Sequence, residues 1–420
     1  MRTFSLAACA FVLAAAVAPA FAQDEGYQPD DTNLWSGAFN ELQITENLRA
    51  NDSKQTAHIQ PRIRSGQVPS RGVNLGGWLV AEHWMTTGAD IWDGVSEADA
   101  NKGEYTALTV SPDPNATKSH FDHHHATFVT EKDIAEIAAA GLNTVRVPVG
   151  YWIMGTDNHD TSQRGAWTKF APNAIKYLDL LIKDWARKHN VAVIISMHAA
   201  KGSQNGQDHS SPENSGKSDW AHYPENVANT IDVVSFLAKR YKSEVAFLGI
   251  GLLNEPGNTT PNDVLYKYYE DAYKVIRGDG NDCVLTVAPL LWEQSPKFMA
   301  DFMKGPEYKN VWVEWHRYFV WGFEQATEAD LMGKHMPAFD DDLAAWKGNP
   351  MFIGEWSFAT SGKFQNDDEG YHKWARKQLE VINKAKAGYT FWSWRIYGDE
   401  NGSNGWSLRN MLRNKVVSIK

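Results

Sequence analysis

The chain of 420 residues has little cysteine, with Cys9 and Cys283 as its two thiols. Cys9 lies in an N-terminal segment that we expect to be removed, so no intrachain disulfide can form in the mature protein. Cys283 falls in a strand-like run with Val284 and Leu285, where a small buried hydrophobic side chain is the expected role. Stability therefore has to come from the packed core.

Long hydrophobic runs are also absent beyond the N-terminus. Met1-Arg2 precedes an apolar run from Phe4 to Ala18, and Ala20-Phe21-Ala22 places small residues where a signal peptidase reads them. This pattern predicts a signal peptide over residues 1–22 and export of the protein. The run is too short to favour spanning a bilayer, and no later run reaches the length of about 18 apolar residues that a span needs.

Basic residues are fewer than acidic ones: the chain has 41 Lys and Arg but 51 Asp and Glu, which gives a net charge of −10. This balance argues against nucleic acid or acidic lipid as a partner.

Aromatic residues are abundant at 18 Trp, 15 Tyr and 18 Phe. Some of them belong in a core, and others suit a cleft in which flat pyranose faces pack on indole rings.

The organisation along the chain predicts one large domain. Residues 23–70 are polar and read as an N-terminal extension, and residues 71–420 follow without a linker or an internal repeat. Short β-branched runs alternate with helical patterns, which is typical of parallel βα units. Eight candidate strands begin at Gly72, Thr144, Ala192, Phe247, Val284, Val311, Met351 and Tyr389. Eight such units predict an α/β fold, a closed (β/α)8 barrel, and no Gly-x-Gly-x-x-Gly follows the first strand to favour a dinucleotide-binding sheet.

Polar residues recur where these strands are predicted to end, and in a (β/α)8 barrel that end carries the active site. Each has a structural alternative, such as a salt-bridged strand end, a satisfied core histidine or plain packing, but their shared position favours a site. Glu255 and Glu355 follow the fourth and seventh strands, so their carboxyl groups would face one cavity. Glycoside cleavage needs such a pair. The set comprises Arg146, His198, Asn254, Glu255, His316, Tyr318, Glu355 and Trp392.

The strings that surround these residues resemble glycoside hydrolase family 5, in particular its fungal-type exo-β-1,3-glucanase branch. The resemblance covers about residues 70–413 and keeps the order of the motifs. The strings are Arg71-Gly-Val-Asn-Leu-Gly-Gly-Trp-Leu-Val-Ala-Glu, Gly141-Leu-Asn-Thr-Val-Arg-Val-Pro-Val-Gly-Tyr-Trp, Met197-His-Ala-Ala-Lys-Gly-Ser-Gln-Asn-Gly, Leu253-Asn-Glu-Pro and Ile353-Gly-Glu-Trp.

The resemblance implies a role for each position. Glu255 would be the acid/base, and Glu355 the nucleophile, oriented by Arg146 and Tyr318. Asn254 would bind the sugar 2-hydroxyl, and Glu82 would hold hydroxyls of the terminal glucose, although a surface carboxylate is the structural alternative for Glu82. The terminal-sugar pocket would be shaped by His198, His316 and Trp392.

Retaining chemistry adds two expectations. The two carboxyl groups should lie roughly 5–5.5 Å apart, and the negative Glu355 should raise the pKa of Glu255 so that Glu255 keeps its proton.

The family pattern also places two Phe residues as a clamp on the incoming sugar. Here Gln207 and Trp321 occupy those positions. This departure bears on affinity for the incoming sugar, on transglycosylation and on linkage preference.

The run His123-His124-His125, next to Asp122, resembles a metal site. Consecutive residues cannot all face one ion on a regular element, and no distant Cys/His partner pattern accompanies them. We therefore expect a structural or cleft-edge role, with no metal and no cofactor.

The leading hypothesis is a secreted, monomeric hydrolase, extracellular or in a cell wall, that releases glucose from the non-reducing ends of β-1,3-glucan. Long loops over residues 201–223 and 319–342 would close one end of the cleft and favour exo action. The alternatives are an endo-β-glucanase for 1,3-, 1,4- or 1,6-linkages, and a catalytically silent glucan-recognition protein. The intact carboxylate pair argues against the silent protein.

Overall fold

The computed structural model describes residues 57–161, 165–257, 259–365, 367–400 and 405–419. Most of the predicted N-terminal extension and the whole predicted signal peptide lie outside these ranges. No helix in the described part of the chain combines the length and the apolar character that crossing a membrane would require.

Eight parallel strands close into a barrel in sequence order, with β1 hydrogen-bonded to both β2 and β8. This confirms the predicted (β/α)8 fold. The strands are β1 Ser70–Asn74, β2 Thr144–Gly150, β3 Ala192–Ala199, β4 Phe247–Gly251, β5 Val284–Val287, β6 Val311–Phe319, β7 Met351–Thr360 and β8 Gly388–Phe391.

Helices surround the barrel and occupy several of its loops. The α-helices are α1 Gln60–Arg64, α2 Glu97–Ala100, α3 Glu104–Val110, α4 Pro114–Thr127, α5 Glu131–Ala139, α6 Ile175–Leu180, α7 Ala186–Lys188, α8 Pro224–Tyr241, α9 Asn262–Gly278, α10 Glu328–Asp330, α11 Met336–Ala345, α12 Asp368–Ile382 and α13 Leu408–Arg413. One π-helical turn, Leu181–Trp185, joins α6 to α7, and another, Leu331–His335, joins α10 to α11. Part of the predicted loop over residues 319–342 is therefore helical.

The strands form where the sequence is continuously apolar and β-branched. Every residue of β2 and β3 is buried, as expected for a parallel sheet covered on its outer face by helices and filled with side chains inside. Outside the barrel, α5 begins with a reciprocal capping box between Thr130 and Asp133, which satisfies backbone donors that the first helical turn leaves free.

The N-terminal end of the barrel is covered by α1. Ile63 is 1% exposed and joins a small apolar cluster with residues near the strand starts, including Ile194, Leu248 and Phe352. This end is therefore packed by α1. Polar side chains collect at the opposite, C-terminal end.

Three strands run further than the sequence pattern indicated. β2 continues four residues beyond Arg146, and β6 and β7 include His316, Tyr318 and Glu355. These side chains therefore lie within strands, where backbone hydrogen bonds hold them, and not at the strand ends as predicted. The pattern follows apolar, β-branched runs, although polar residues within a strand can face the inside of a barrel.

Candidate active site

Glu355 and His316 lie side by side on neighbouring strands. They are paired in the β6–β7 ladder, next to a register shift between Trp315 and His316. Such an irregularity changes the direction of side chains locally. As a result, His316 Nδ1 lies 3.4 Å from Glu355 Oε2.

Each oxygen of the Glu355 carboxylate has its own donor. Arg146 Nη1 donates to Oε1 at 2.9 Å, and the Tyr318 hydroxyl donates to Oε2 at 2.9 Å. Burial, together with the Glu355 charge, raises the pKa of Tyr318 well above its usual range, so Tyr318 remains a donor. Arg146 and Tyr318 therefore contact Glu355, as the resemblance implied.

Glu314 completes this buried ionic cluster, and the sequence analysis assigned it no role. Its carboxylate lies 2.9 Å from Arg146 Nη2 and 3.2 Å from His316 Nε2, and it accepts from the Thr286 hydroxyl. Burial would raise the pKa of Glu314, but Arg146 lowers it to about 2. A Cβ on Gly354 would lie 1.9 Å from Glu314 Oε1. A carboxylate inside an apolar strand, opposite a glycine, was the signal that could have revealed it.

Glu255 follows β4 with a backbone φ of +46°, a left-handed conformation that is uncommon for a residue other than glycine. Its carboxylate lies between two imidazoles, with His316 Nδ1 2.7 Å from Oε1 and His209 Nε2 3.3 Å from Oε2. Sequence reasoning missed His209, which follows the Gly-Ser-Gln-Asn-Gly string by three residues.

The expected rise in the pKa of Glu255 is wrong for this arrangement. Burial alone would raise the pKa, but hydrogen bonds from His209 and His316 lower it well below its usual range. The prediction considered Glu355 as the neighbour, whereas the two imidazoles touch Glu255 directly. Conversely, burial would lower the pKa of His316, but the carboxylates of Glu355, Glu255 and Glu314 raise it to about 10.

The two candidate catalytic carboxylates lie close together. One oxygen of Glu255, one oxygen of Glu355 and one ring nitrogen of His316 all lie within 4.8 Å of each other. Two carboxylates and an imidazole could in principle ligate a divalent cation. Here both His316 nitrogens already contact carboxylates, and a protonated ring has no lone pair to offer a metal, so this set is better suited to proton transfer.

Three further predicted residues lie close to these groups. Asn254 Oδ1 accepts from Arg146 Nη2 at 2.7 Å, and its buried Nδ2 donor has no partner among the described residues. His198 stacks on Trp392, with ring centroids 5.5 Å apart and planes 4° from parallel. Burial, followed by the charge of His209, lowers the pKa of His198 well below its usual range, so its ring is neutral.

Glu82 lies in the loop after β1, buried with 4% exposure. This burial removes the alternative of a surface carboxylate. Trp84 Nε1 donates to Glu82 Oε2 at 2.8 Å. Burial and then the charge of Asp208 raise the pKa of Glu82 to about 8. The buried carboxyl group of Glu82 and the half-buried carboxyl group of the nearby Asp208 could bind sugar hydroxyls.

Aromatic rings surround Tyr318 on one side. Tyr318 contacts Trp321 and Trp406, and Trp406 contacts Trp84, with ring centroids 5.2–5.8 Å apart. Trp321 is 59% exposed, as suits a ring that meets a ligand at an entrance. Sequence reasoning missed Trp84 and Trp406. Gln207 is also exposed.

The three consecutive histidines point in different directions on α4. His124 is buried and its Nε2 lies 2.7 Å from the Gly77 carbonyl, whereas the buried ring of His125 has no hydrogen-bond partner in the described part of the chain. Burial lowers the pKa of His124 to about 4 and that of His125 to about 3. These two rings are neutral and packed, which agrees with a structural role.

A (β/α)8 barrel that presents two close carboxylates at its C-terminal end defines a class of protein. One carboxylate is held by an arginine and a tyrosine, and the other lies between two imidazoles. This is the architecture of a glycoside hydrolase.

Comparison with known proteins gives the family. Residues 109–398 match the model described as cellulase (glycosyl hydrolase family 5). The chain is 30% identical over 399 residues to the glucan 1,3-beta-glucosidase of Blumeria graminis, covering 83% of this chain and 86% of that protein. It is 29% identical to a probable glucan 1,3-beta-glucosidase A of Emericella nidulans, covering 82% and 89%. The chain therefore belongs to glycosyl hydrolase family 5.

Solved structures agree on the fold. The rutinosidase from Aspergillus niger superimposes with a TM-score of 0.67 at 17% identity, covering 83% of this chain and 98% of that one. The endoglucanase from Thermotoga maritima superimposes with a TM-score of 0.53 at 18% identity, covering 86% and 98%. At this level of identity the likeness establishes the barrel alone.

Proposed function

We propose that this glycoside hydrolase is an exo-acting glucan 1,3-β-glucosidase that releases glucose from non-reducing ends with retention of configuration. The observation that carries the proposal is the carboxylate pair, with Glu355 held by Arg146 and Tyr318 and Glu255 within 4.8 Å of it. Relatives that the chain matches over more than four fifths of its length bear that enzyme name. We also infer from residues 1–22 that the protein is exported.

In the first half of the reaction, Glu355 attacks the anomeric carbon as the glycosidic C–O bond breaks. The leaving oxygen takes a proton from the Glu255 carboxyl group. In the second half, water attacks the anomeric carbon, Glu255 accepts the water proton, and the bond to Glu355 breaks. The short separation of the carboxylates supports this double displacement, because an inverting pair lies roughly 6.5–9.5 Å apart to admit a water molecule.

The remaining residues form a polar pocket for one terminal sugar. Asn254 Nδ2, which no described residue contacts as a partner, can donate to the 2-hydroxyl. The carboxyl groups of Glu82 and Asp208 can bind hydroxyls further from the reacting carbon. Trp392 provides an apolar face against which a pyranose can stack. A pocket for one terminal sugar is what exo action requires, and Trp321 at the exposed side would contact the departing sugar.

Product analysis on laminarin tests the proposal. The wild-type enzyme should release glucose alone, and Glu355→Gln, which keeps the side-chain shape but removes the nucleophile, should lower the rate by about 10³-fold or more. NMR during the first minutes should show the β-anomer of glucose before mutarotation. Carboxymethylcellulose and pustulan, run in parallel, should yield little product.

Other outcomes would replace the proposal. Oligosaccharides of mixed length would identify an endo-glucanase with an open cleft, and preferential cleavage of pustulan or carboxymethylcellulose would assign a 1,6- or 1,4-linkage. A folded protein that binds a glucan but cleaves none of the three would be a recognition protein.

A further inference from the structure

His209 contacts the acid/base carboxylate from the side opposite to His316. It lies in the 3-10 turn Asp208–Ser210, in the loop between β3 and α8, and its Nε2 is 3.3 Å from Glu255 Oε2. His316 Nδ1 is 2.7 Å from Oε1. Both oxygens of the group that has to protonate the leaving oxygen are therefore in contact with an imidazole.

The turn that carries His209 is held rigidly. The hydroxyls of Ser203 and Ser210 are 2.6 Å apart, and Ser203 Oγ also accepts from the Gly206 amide at 2.7 Å. Gly206 has a φ of +79°, and a Cβ there would lie 2.7 Å from the backbone of Gly216. The position of the imidazole is thus set by the protein before substrate arrives.

Asn205 allows the proton between His209 and Glu255 to lie on either of these two residues. Its Oδ1 accepts from the Gln207 amide at 3.0 Å, so its Nδ2 is the atom that faces the Glu255 carbonyl at 3.1 Å and His209 Nε2 at 3.0 Å. An amide N–H stabilises a neutral ring nitrogen, whereas the Glu255 carboxylate stabilises a protonated one. One proton can therefore lie on Nε2 of His209 or on Oε2 of Glu255.

The charges around His209 favour keeping that proton in the pair. Asp208 Oδ1 lies 3.9 Å from its Nδ1 on the same turn, and Glu82 faces it from the loop after β1. His198 of β3 contacts it edge to face at 5.5 Å and is neutral. Burial lowers the pKa of His209, but the hydrogen bond and charge of Glu255, followed by Glu82 and Asp208, raise it to about 9.

We propose that His209 is a positioning residue that shares one proton with Glu255, so that the His209–Glu255 pair acts as the acid/base unit of this enzyme. The inference rests on the proposed role of Glu255. As the leaving oxygen approaches, the proton moves from Nε2 to Oε2 and then to that oxygen, and the neutral ring accepts from Asn205. In the second half, the proton from water passes to Oε2 and back to Nε2.

The test compares His209→Asn with the wild-type enzyme on two substrates that differ in their need for a proton. Laminaribiose requires protonation of its leaving oxygen, whereas 2,4-dinitrophenyl β-glucoside does not. We expect kcat/KM to fall about 10- to 100-fold for laminaribiose, because general acid catalysis contributes about 10²–10⁴-fold. For the aryl glucoside, kcat/KM should change by less than about 3-fold.

The pH profile supplies a second readout that a purely structural role would not move. In the wild-type enzyme the His209–Glu255 pair loses its shared proton only when the pH reaches the raised pKa of His209. The alkaline limb of kcat/KM should therefore lie near that pH. In His209→Asn the proton rests on Glu255 alone, beside the His316 cation that lowers its pKa. The alkaline limb should therefore shift by at least about one pH unit toward acid.

Control variants make the result decisive. His222→Asn changes an exposed histidine in the same loop and should match the wild type on both substrates. Should His209→Asn fold poorly by circular dichroism, His209→Gln provides a longer amide for the same measurements. Equal losses on both substrates with an unmoved alkaline limb would overturn the inference. Failure of the wild-type enzyme to cleave laminaribiose would count instead against the proposed function.

Discussion

At the scale of single residues, the site depends on buried charges that stabilise one another. Arg146 contacts four acceptors from different strands and loops, namely Asn74, Glu314, Glu355 and Asn254. A buried charge is costly unless it is paired and hydrogen-bonded. Loss of one member of this cluster should therefore affect both folding and catalysis.

Glu314→Gln should lower the free energy of unfolding at pH 7 by about 3–5 kcal/mol, because it leaves Arg146 and His316 with one carboxylate fewer in a buried site. Burial raises the folded-state pKa of Glu314, but Arg146, His316 and Thr286 together lower it to about 2, from an ordinary value of 4.5. The Glu314 contribution is thus present above pH 4.5 and is lost as pH falls toward 2. Denaturant unfolding across this range should show the wild type and the variant converging at low pH.

The matched control is Glu380→Gln, which removes an exposed ion pair with Lys377. Exposed pairs contribute roughly 0–1 kcal/mol, so this variant should remain close to the wild type. A Glu314→Gln protein as stable as Glu380→Gln at pH 7 would contradict the structural role of the cluster.

At the scale of elements, the position of each functional group depends on how a strand or loop is supported from behind. The loop after β1 carries Glu82, and the α3 residue Glu104 lies behind it. Glu104 Oε2 accepts from the Ala81 amide at 3.2 Å, next to Glu82 in sequence, and its other oxygen is buried without a partner among the described residues. Burial raises the pKa of Glu104 to about 8. This carboxyl group is therefore protonated when it supports the loop at neutral pH.

Glu104→Gln should make folding less sensitive to alkaline pH. Between pH 4.5 and 8 the unfolded Glu104 ionises while the folded group keeps its proton, so the wild type loses stability as pH rises through this window. An amide cannot ionise and can still accept from Ala81. Relative to Glu104→Gln, the wild type should lose up to a few kcal/mol between pH 5 and pH 8.

Thermal unfolding of both proteins at several pH values provides the measurement. Glu97→Gln, an exposed change on α2, is the control and should follow the wild-type dependence on pH. Parallel curves for Glu104→Gln and the wild type would show that Glu104 does not titrate as described.

At the scale of the whole molecule, the two ends of the barrel have different roles. The C-terminal end holds the carboxylates, and the N-terminal end is covered by α1 through Ile63. In barrels of this kind, changes at the N-terminal end affect stability, whereas catalysis depends on the other end. The division can be tested with one substitution far from the active site.

Ile63→Ala should reduce the free energy of unfolding by about 2–5 kcal/mol, because it removes a buried side chain and leaves a cavity under the barrel. The value of kcat on laminarin should remain within about 2-fold of the wild type, since the change lies at the end opposite the active site. Val275→Ala, at an exposed position of α9, is the control and should be nearly neutral. A large loss of kcat without a loss of stability would mean that the two ends are coupled.

Much of this architecture could be predicted from the sequence. The β-branched runs are long enough, and separated by enough helical sequence, that a closed barrel follows from local pattern and chain connectivity. The motifs around Arg146, Asn254 and Glu355 were sufficient to identify the residues that the fold brings together. The roles of these residues, and the domain boundary at residue 70, stay predictions.

What the sequence could not determine were properties that depend on neighbours distant in the chain. The pKa of Glu255 depends on His209 and His316, which lie 46 positions before it and 61 positions after it. The role of Glu314 depends on the space that Gly354 leaves on the next strand. Electrostatic interactions and burial act over a few ångströms in space whatever the separation along the chain. The sequence alone therefore determined the fold class and the candidate catalytic pair, whereas the tertiary structure decided which groups hold the proton.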